Sequence, residues 1–330
     1  MKKPSSLYRI KYLAAALLAV YCFAFFRTDS TQESIVRAIL LEQDASSWTV
    51  GLLYQAPEAS ADSSEASGEI RFVAAREATL ERALASAQET LPQAPNYRLC
   101  DFLLLTPGSS WQTLQEYEAL VLNQQCGRTA ALVQSCGFSC AELSEESEAS
   151  ENILSSLLET VKAAEELSPR LYQQNLTAGL LLPRVSIQDG EASLAEEGAF
   201  LTQNGVEKWD QQKTELYRLL TGQGGTRRFW PDGHPLSLGR CTLSVTCLRE
   251  GEFVLRIDCH TAAGQTPDPK YSRWLAEACQ SAVAAFWAEG QDVLGLGACQ
   301  ALRQGPESWL DPAKNACPQV RTDVRFTAFL

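Results

Sequence analysis

Asp258-Cys259-His260 sets a thiol beside an imidazole, the two groups that a cysteine nucleophile needs. The spacing is wrong for that chemistry if the segment is a strand. Neighbours in a strand point to opposite faces, so Cys259 and His260 do not meet, and the chain holds one other histidine, His234. The expected arrangement is a buried Cys259 beside a surface His260. Cys126, Cys136 and Cys140 form a second cluster, spaced C-x9-C and C-x3-C. Structural zinc favours paired short spacings and four ligands, and dithiol redox motifs favour C-x-x-C. Disulfides or free thiols fit these three better than a metal site. Gly295-Leu296-Gly297 suggests a phosphate loop, but such a loop follows a strand and carries a third glycine, and this one follows a predicted helix. Gly222-Gln223-Gly224-Gly225 closes a predicted helix, where glycine is a common cap. The pairs Glu145-Glu146 and Glu196-Glu197 lack the register of a calcium loop. Asn175-Leu176-Thr177 matches a glycan acceptor. The reading is therefore of no catalytic residues, no metal and no cofactor, which favours binding or signalling over catalysis.

The elements that would hold these residues begin at Ser34. Residues 33–44 and 46–57 pattern as two strands around a polar turn at 43–47. Residues 56–69 form a Ser/Ala/Glu-rich loop, and a strand, IRFVAA, follows. ATLERALASAQETL has apolar residues at helical spacing, Leu80, Leu84, Ala87 and Leu91. A buried strand is expected over 97–106, a helix with a serine cap over 109–123, and another strand over 127–137. One helix is expected over 143–167, acidic at its start and amphipathic from Ile153. Beyond residue 190 the order is strand, Asn204-Gly205 turn, strand and helix. A long hairpin turns at Glu250-Gly251, and a helix over 271–290 places Trp274, Ala278, Ala282 and Phe286 on one face. A last strand alternates Val320, Thr322, Val324 and Phe326 with Arg321, Asp323, Arg325 and Thr327. The fold class expected is α+β, or mixed α/β, with several domains of mixed and antiparallel sheets flanked by helices.

Charge and the N-terminus narrow the setting. The chain has 330 residues, 45% of them apolar, which is ample for a core. Its net charge is -12, although its first 26 residues carry Lys2, Lys3, Arg9 and Lys11 and no acid. The body is thus strongly anionic and repels phosphate backbones, which excludes nucleic acid as a partner. The apolar run Tyr12–Phe26 behind a basic flank has the form of an export signal. No small-x-small cleavage site follows, so residues 1–27 are read as an uncleaved anchor with the body outside the cytoplasm. Cys22 is a candidate for lipidation, against which the bulky Tyr21 argues. Ten of the eleven cysteines lie in the body. An oxidising compartment favours disulfides among them, yet Cys241, Cys247, Cys279 and Cys299 sit where a small apolar side chain fits.

The C-terminal half carries a family pattern. A helix runs into Asp292-Val293-Leu294-Gly295-Leu296-Gly297, then come Arg303, Pro306 and Trp309, then the closing strand. Upstream stand Gly198-Ala199-Phe200-Leu201, Trp209 and TELYRLLTG. Residues 195–330 resemble the GerAC-like, or Ger(x)C, family, the C subunits of spore nutrient germinant receptors. The N-terminal half matches only in its strand pair at 34–55 and its strand–helix alternation. The resemblance implies a three-domain mixed α/β architecture with no enzymatic activity. It also implies a place on the outer face of the spore inner membrane, beside polytopic A- and B-type receptor subunits. Domains are expected at 1–27 (anchor), 28–190 (α/β region, loop 56–68 flexible) and 191–330 (GerAC-like domain). In this pattern Asp292 is expected to cap the next helix, Gly295 and Gly297 to allow a tight turn, and Trp309 to fill an apolar slot. Two alternatives stay open: a stand-alone anchored envelope binding protein, and an exported redox or metal protein using Cys126, Cys136 and Cys140.

Overall fold

The computed structural model describes residues 33–56, 69–123, 125–127, 131–150, 152–171, 179–261 and 268–328. The anchor at 1–27 with Cys22, the loop at 57–68 and the Asn175 acceptor lie outside the described residues. The fold is mixed α+β, built on two sheets.

The larger sheet contains β1 (Glu33–Gln43), β2 (Trp48–Gln55), β3 (Ile70–Glu77), β4 (Ala94–Asn96), β5 (Phe102–Leu105), β6 (Leu132–Cys136), β7 (Leu180–Gln188), β8 (Glu191–Thr202) and β9 (Gly205–Trp209). Its order is β3-β2-β1-β5-β6-β7-β8-β9, with β4 also on β1. β1, β5, β6 and β7 run parallel, and the outer strands on both sides join as antiparallel hairpins. Parallel strands need crossovers, so helices cover both faces. On one face α1 (Leu80–Glu89) and α2 (Trp111–Leu122) pack over Ile39, Leu41, Leu103, Leu105 and Val133. On the other, α3 (Cys140–Ala149) and α4 (Ile153–Ala163) pack over Ala38, Leu40, Phe102, Leu104 and Cys136. Burial on both faces explains why β5 reads as an unbroken apolar run and why every residue of β6, Gln134 and Ser135 included, is buried. The sheet runs through residue 190, since Asp189 and Gly190, both at positive φ, form the turn between β7 and β8.

The smaller sheet follows α5 (Gln211–Leu220). It contains β10 (Arg227–Phe229), β11 (Leu236–Arg249), β12 (Glu252–Thr261) and β13 (Gln319–Ala328), in that order. Between β12 and β13 come α6 (Pro269–Ala288) and α7 (Leu296–Gln304). β13 runs parallel to β12 in full register, from Glu252 opposite Gln319 to Thr261 opposite Ala328. The core here joins Phe253, Leu255, Ile257 and Cys259 of β12 to Leu275, Cys279, Val283 and Phe286 of α6. The same core takes in Phe200 and Trp209 of the larger sheet. Their rings stack at 4.0 Å between centroids and 12° between planes, and Tyr217 and Phe286 meet Trp209 at 5.4 and 5.6 Å. Offset ring contacts of this kind add ~0.5–1.5 kcal/mol beyond area burial, so they bind the two sheets into one core.

Three local expectations differ from the structure. The helix expected over 143–167 is two helices, because Ser150 takes an extended conformation. Ser144 and Ser147 donate back to the carbonyls of Cys140 and Ser144, which weakens a helix interior. α3 buries only Cys140 and Leu143, whereas α4 buries five residues, so one apolar stripe does not span both. The strand expected over 97–106 shrinks to β5, because the Asn96 side chain accepts from the Arg98 N–H and Cys100 N–H turns back to the Tyr97 carbonyl. The buried stripe of α6 is Leu275, Cys279, Val283, Phe286 and Trp287, about one residue round from the expected face, leaving Trp274, Ala278 and Ala282 at its margin.

Candidate functional site

α6 ends at a turn with Gly290 at positive φ, and the chain reverses into α7. Gly295 is the N-cap of α7 and sits at φ 66, ψ 34, a left-handed conformation that costs an L side chain ~1–2 kcal/mol. Three residues earlier, the Asp292 carboxylate fills the helix N-terminus. Its Oδ1 accepts from the Leu296 N–H and its Oδ2 from the Gly297 N–H, both at 2.8 Å. Both oxygens are therefore used on donors that a phosphate would otherwise take. Gly297 has a different reason for lacking a side chain: a Cβ there would lie 2.2 Å from the Leu310 carbonyl oxygen. The chain folds back over this point through a short 3-10 turn, Pro306–Ser308. Gln300, buried on α7, ties the return segment down. Its Nε2 donates to the Ser308 carbonyl at 2.8 Å, and its Oε1 accepts from Gly251 N–H, at the β11–β12 turn, at 2.9 Å. Gly295-Leu296-Gly297 thus forms the turn and the close-packing point of the segment that leads from α6 through α7 to the last strand. Trp309 departs from the expected role: it is 57% exposed and leans over Gly297 rather than filling a slot. Arg303 lies exposed in the last turn of α7, and Pro306 is exposed at the start of the 3-10 turn. The segment also presents Leu302, 90% exposed.

The cysteine clusters separate into two kinds. Cys126 lies in the core on one face of the larger sheet, and Cys136 and Cys140 in the core on the other. Burial pushes the Cys126 and Cys136 thiols up to about 12 and raises Cys140 as well. Three buried, protonated thiols split across a sheet make neither a metal site nor a nucleophile. Among the described residues no three of His, Cys, Asp and Glu group as metal ligands. Cys259 is fully buried and the neighbouring His260 is half-buried on the opposite face of β12. The sequence gives no cue that Cys259 faces Cys241; that follows from the register of β11 and β12.

The C-terminal ends of parallel strands, where open α/β sheets hold ligands, are filled by the protein itself. Glu42 accepts from Cys140 N–H at the start of α3, at 2.9 Å. Ser109 donates to the Leu41 carbonyl and Thr113 to the Gln43 side chain. A cleft of about 320 Å³ lies at the opposite ends, beside Phe102 and Leu132, and Arg37, Asp101, Lys162, Glu165 and Arg170 complete its lining. Acid and base are mixed there, and no charge of one sign converges on a ligand. Gly222-Gln223-Gly224-Gly225 follows α5 and walls a second cleft, which reaches Cys241.

No family model matches the chain, and no curated protein matches it. Among solved structures the chain is similar to one described as "Crystal Structure of the GerBC protein". The identity is 12% and the TM-score 0.46, over 92% of this chain and 100% of that one.

Proposed function

We propose that this chain is a non-catalytic, extracytoplasmic subunit of a spore germinant receptor, held at the membrane by its first 27 residues. The observation that supports this is the use made of the Asp292, Gly295, Gly297, Arg303, Pro306 and Trp309 string, through which residues 195–330 resemble the Ger(x)C family. Asp292 spends both oxygens on helix capping, and the glycines serve a turn and a close approach. Asp292 and the two glycines thus shape the turn and its surface, and none of the three offers a group to a ligand. That surface carries exposed Leu302 and Trp309, apolar side chains suited to docking on another subunit. Polytopic A- and B-type subunits are the partners in this reading, and the outer face of the spore inner membrane is the place. Among the described residues no helix is long and apolar enough to cross a membrane.

The test is affinity purification of the tagged full chain from detergent-solubilised spore membranes, followed by mass spectrometry. Two polytopic membrane proteins are expected to co-purify, and the Leu302→Asp, Trp309→Ala double variant should lose them while staying folded. Recovery of the chain alone, under conditions that keep other membrane complexes intact, turns the reading to a stand-alone anchored envelope protein.

A further inference from the structure

Two cysteines of the smaller sheet face each other. Cys241 on β11 is directly opposite Cys259 on β12, and their sulfurs lie 3.1 Å apart as free thiols. Directly opposed residues in an antiparallel pair have Cα atoms ~4.5–5.5 Å apart. A disulfide spans Cα separations of ~4.4–6.8 Å, so it forms here with roughly 1 Å of sulfur movement and no change of register. The two thiols are unequal. Cys259 is fully buried, whereas Cys241 is half-buried. The β11–β12 register slips between Leu238 and Cys241, and the pairing of β11 with β10 stops at Leu238. Beyond that point β11 has an open side at Cys241.

A cleft of about 580 Å³ leads to that side. Three of the four residues in its Gly222–Gly225 wall are glycine, so only Gln223 carries a side chain there. Arg227 and Arg240 supply positive charge. Arg227 is buried, and its guanidinium is fixed by the carbonyls of Arg218, Gln223 and Gly225. Its Nε has no partner among the described residues. The Cys241 thiol is held below its ordinary value by the hydrogen bond with Cys259 and, against burial, by Arg227. Cys259 moves the other way, raised by the same hydrogen bond and by burial. Cys279 of α6 lies behind them, fully buried and raised to about 12 by burial. A more acidic, accessible thiol in front of a buried one is the asymmetry of an attacking and a resolving cysteine.

We propose that Cys241 and Cys259 form a redox-active dithiol that closes to a disulfide across β11 and β12 by exchange with an external low-molecular-weight disulfide entering through the glycine-walled cleft. The Cys241 thiolate attacks one sulfur of the external disulfide. That disulfide bond breaks, a mixed disulfide forms on Cys241, and one external thiolate leaves and takes up the proton that Cys241 gave up. The Cys259 thiol then loses its proton to solvent, attacks the Cys241 sulfur and expels the second external thiolate, which is protonated in turn. Two protein thiols are oxidised, and one external disulfide is reduced to two thiols. The inference needs only contact with such a disulfide and holds whether or not the chain is a receptor subunit.

The test treats the reduced, purified full chain with oxidised glutathione, alkylates the remaining thiols and maps the peptides. The expected result is a Cys241–Cys259 linked peptide, with both thiols lost to alkylation together. Cys259→Ser should instead collect a glutathione adduct at Cys241. In the untreated wild-type chain, iodoacetamide should modify Cys241 at least roughly tenfold faster than Cys136, as thiolate character and access dictate. The linked peptide is read on the wild-type chain, so the test does not depend on the folding of a variant. Adducts confined to exposed Cys317, with Cys241 and Cys259 both still alkylated, overturn the proposal. A link from Cys241 to Cys279 overturns it as well.

Discussion

The two sheets solve the same problem in different ways. The larger one buries its central strands on both faces, between α1 and α2 on one side and α3 and α4 on the other. The smaller one alternates: along β11 and β12 inward Leu238, Val245, Phe253, Leu255 and Ile257 are interleaved with outward polar residues. Only its inner face, under α6, contributes to a core. The difference decides where chemistry can happen. A cysteine on a strand covered twice, such as Cys136, is sealed and held protonated. A cysteine packed only partly against the inner face, such as Cys241, past the point where β10 stops pairing with β11, keeps a route to solvent through the cleft beside it. Among the described residues, the four cysteines on strands, Cys136, Cys241, Cys247 and Cys259, therefore differ in burial according to which sheet they occupy and how far along the strand they lie.

The largest expected effect breaks the join between the sheets. Phe200→Ala removes a fully buried ring that stacks on Trp209 and meets Tyr217 edge-on at 5.6 Å. The loss should be about 4 kcal/mol in urea denaturation. Loss of protection in both sheets by hydrogen exchange would mark one cooperative core. Loss in the smaller sheet alone would mark two separable units.

The next effect separates the sheets by their thiols. Cys126 and Cys136 are held near 12 in the folded chain, against roughly 8.5 when unfolded. Their folded values are raised, so the stability they bring is complete below about pH 8.5 and is lost as pH climbs toward 12. Each should contribute a fall of about 1.4 kcal/mol per pH unit within that window. Under reducing conditions, Cys136→Ala should flatten the alkaline limb of the stability curve, measured by urea midpoints from pH 8 to 10. An unchanged limb would show that this thiol is reached by water.

Two smaller effects sharpen the view of the C-terminal module. Gly297→Ala should cost about 2 kcal/mol net, because the added Cβ meets a backbone carbonyl that must shift, which outweighs the better helix propensity of alanine. Asp292→Ala should cost about 1 kcal/mol through the lost cap, with the effect read as earlier melting of α7 by hydrogen exchange. Gly222→Ala, by contrast, meets no neighbour and is strained only by its φ of 70°. Its loss should therefore be smaller than that of Gly297→Ala.

Much of this was legible in the residues. The turn at 43–47, the Asn204-Gly205 hairpin and the Glu250-Gly251 hairpin were readable because turn chemistry is local. Asp292 as a cap was readable for the same reason. The split of α3 from α4 was not, since it depends on which side chains find a core to enter. The exposure of Trp309 was not either: the close approach of Leu310 to Gly297 sets the path of the return segment and leaves the ring outside.

The sequence by itself determined most of the elements, the caps and turns between them and the acidic body, because period, propensity and charge act over a few residues. Tertiary structure alone decided that β13 runs parallel to β12, that Phe200 joins two sheets into one core, and that Cys241 meets Cys259. Each of these depends on register between segments far apart in the chain, and register is set by the packing of whole faces, which no short stretch of sequence contains.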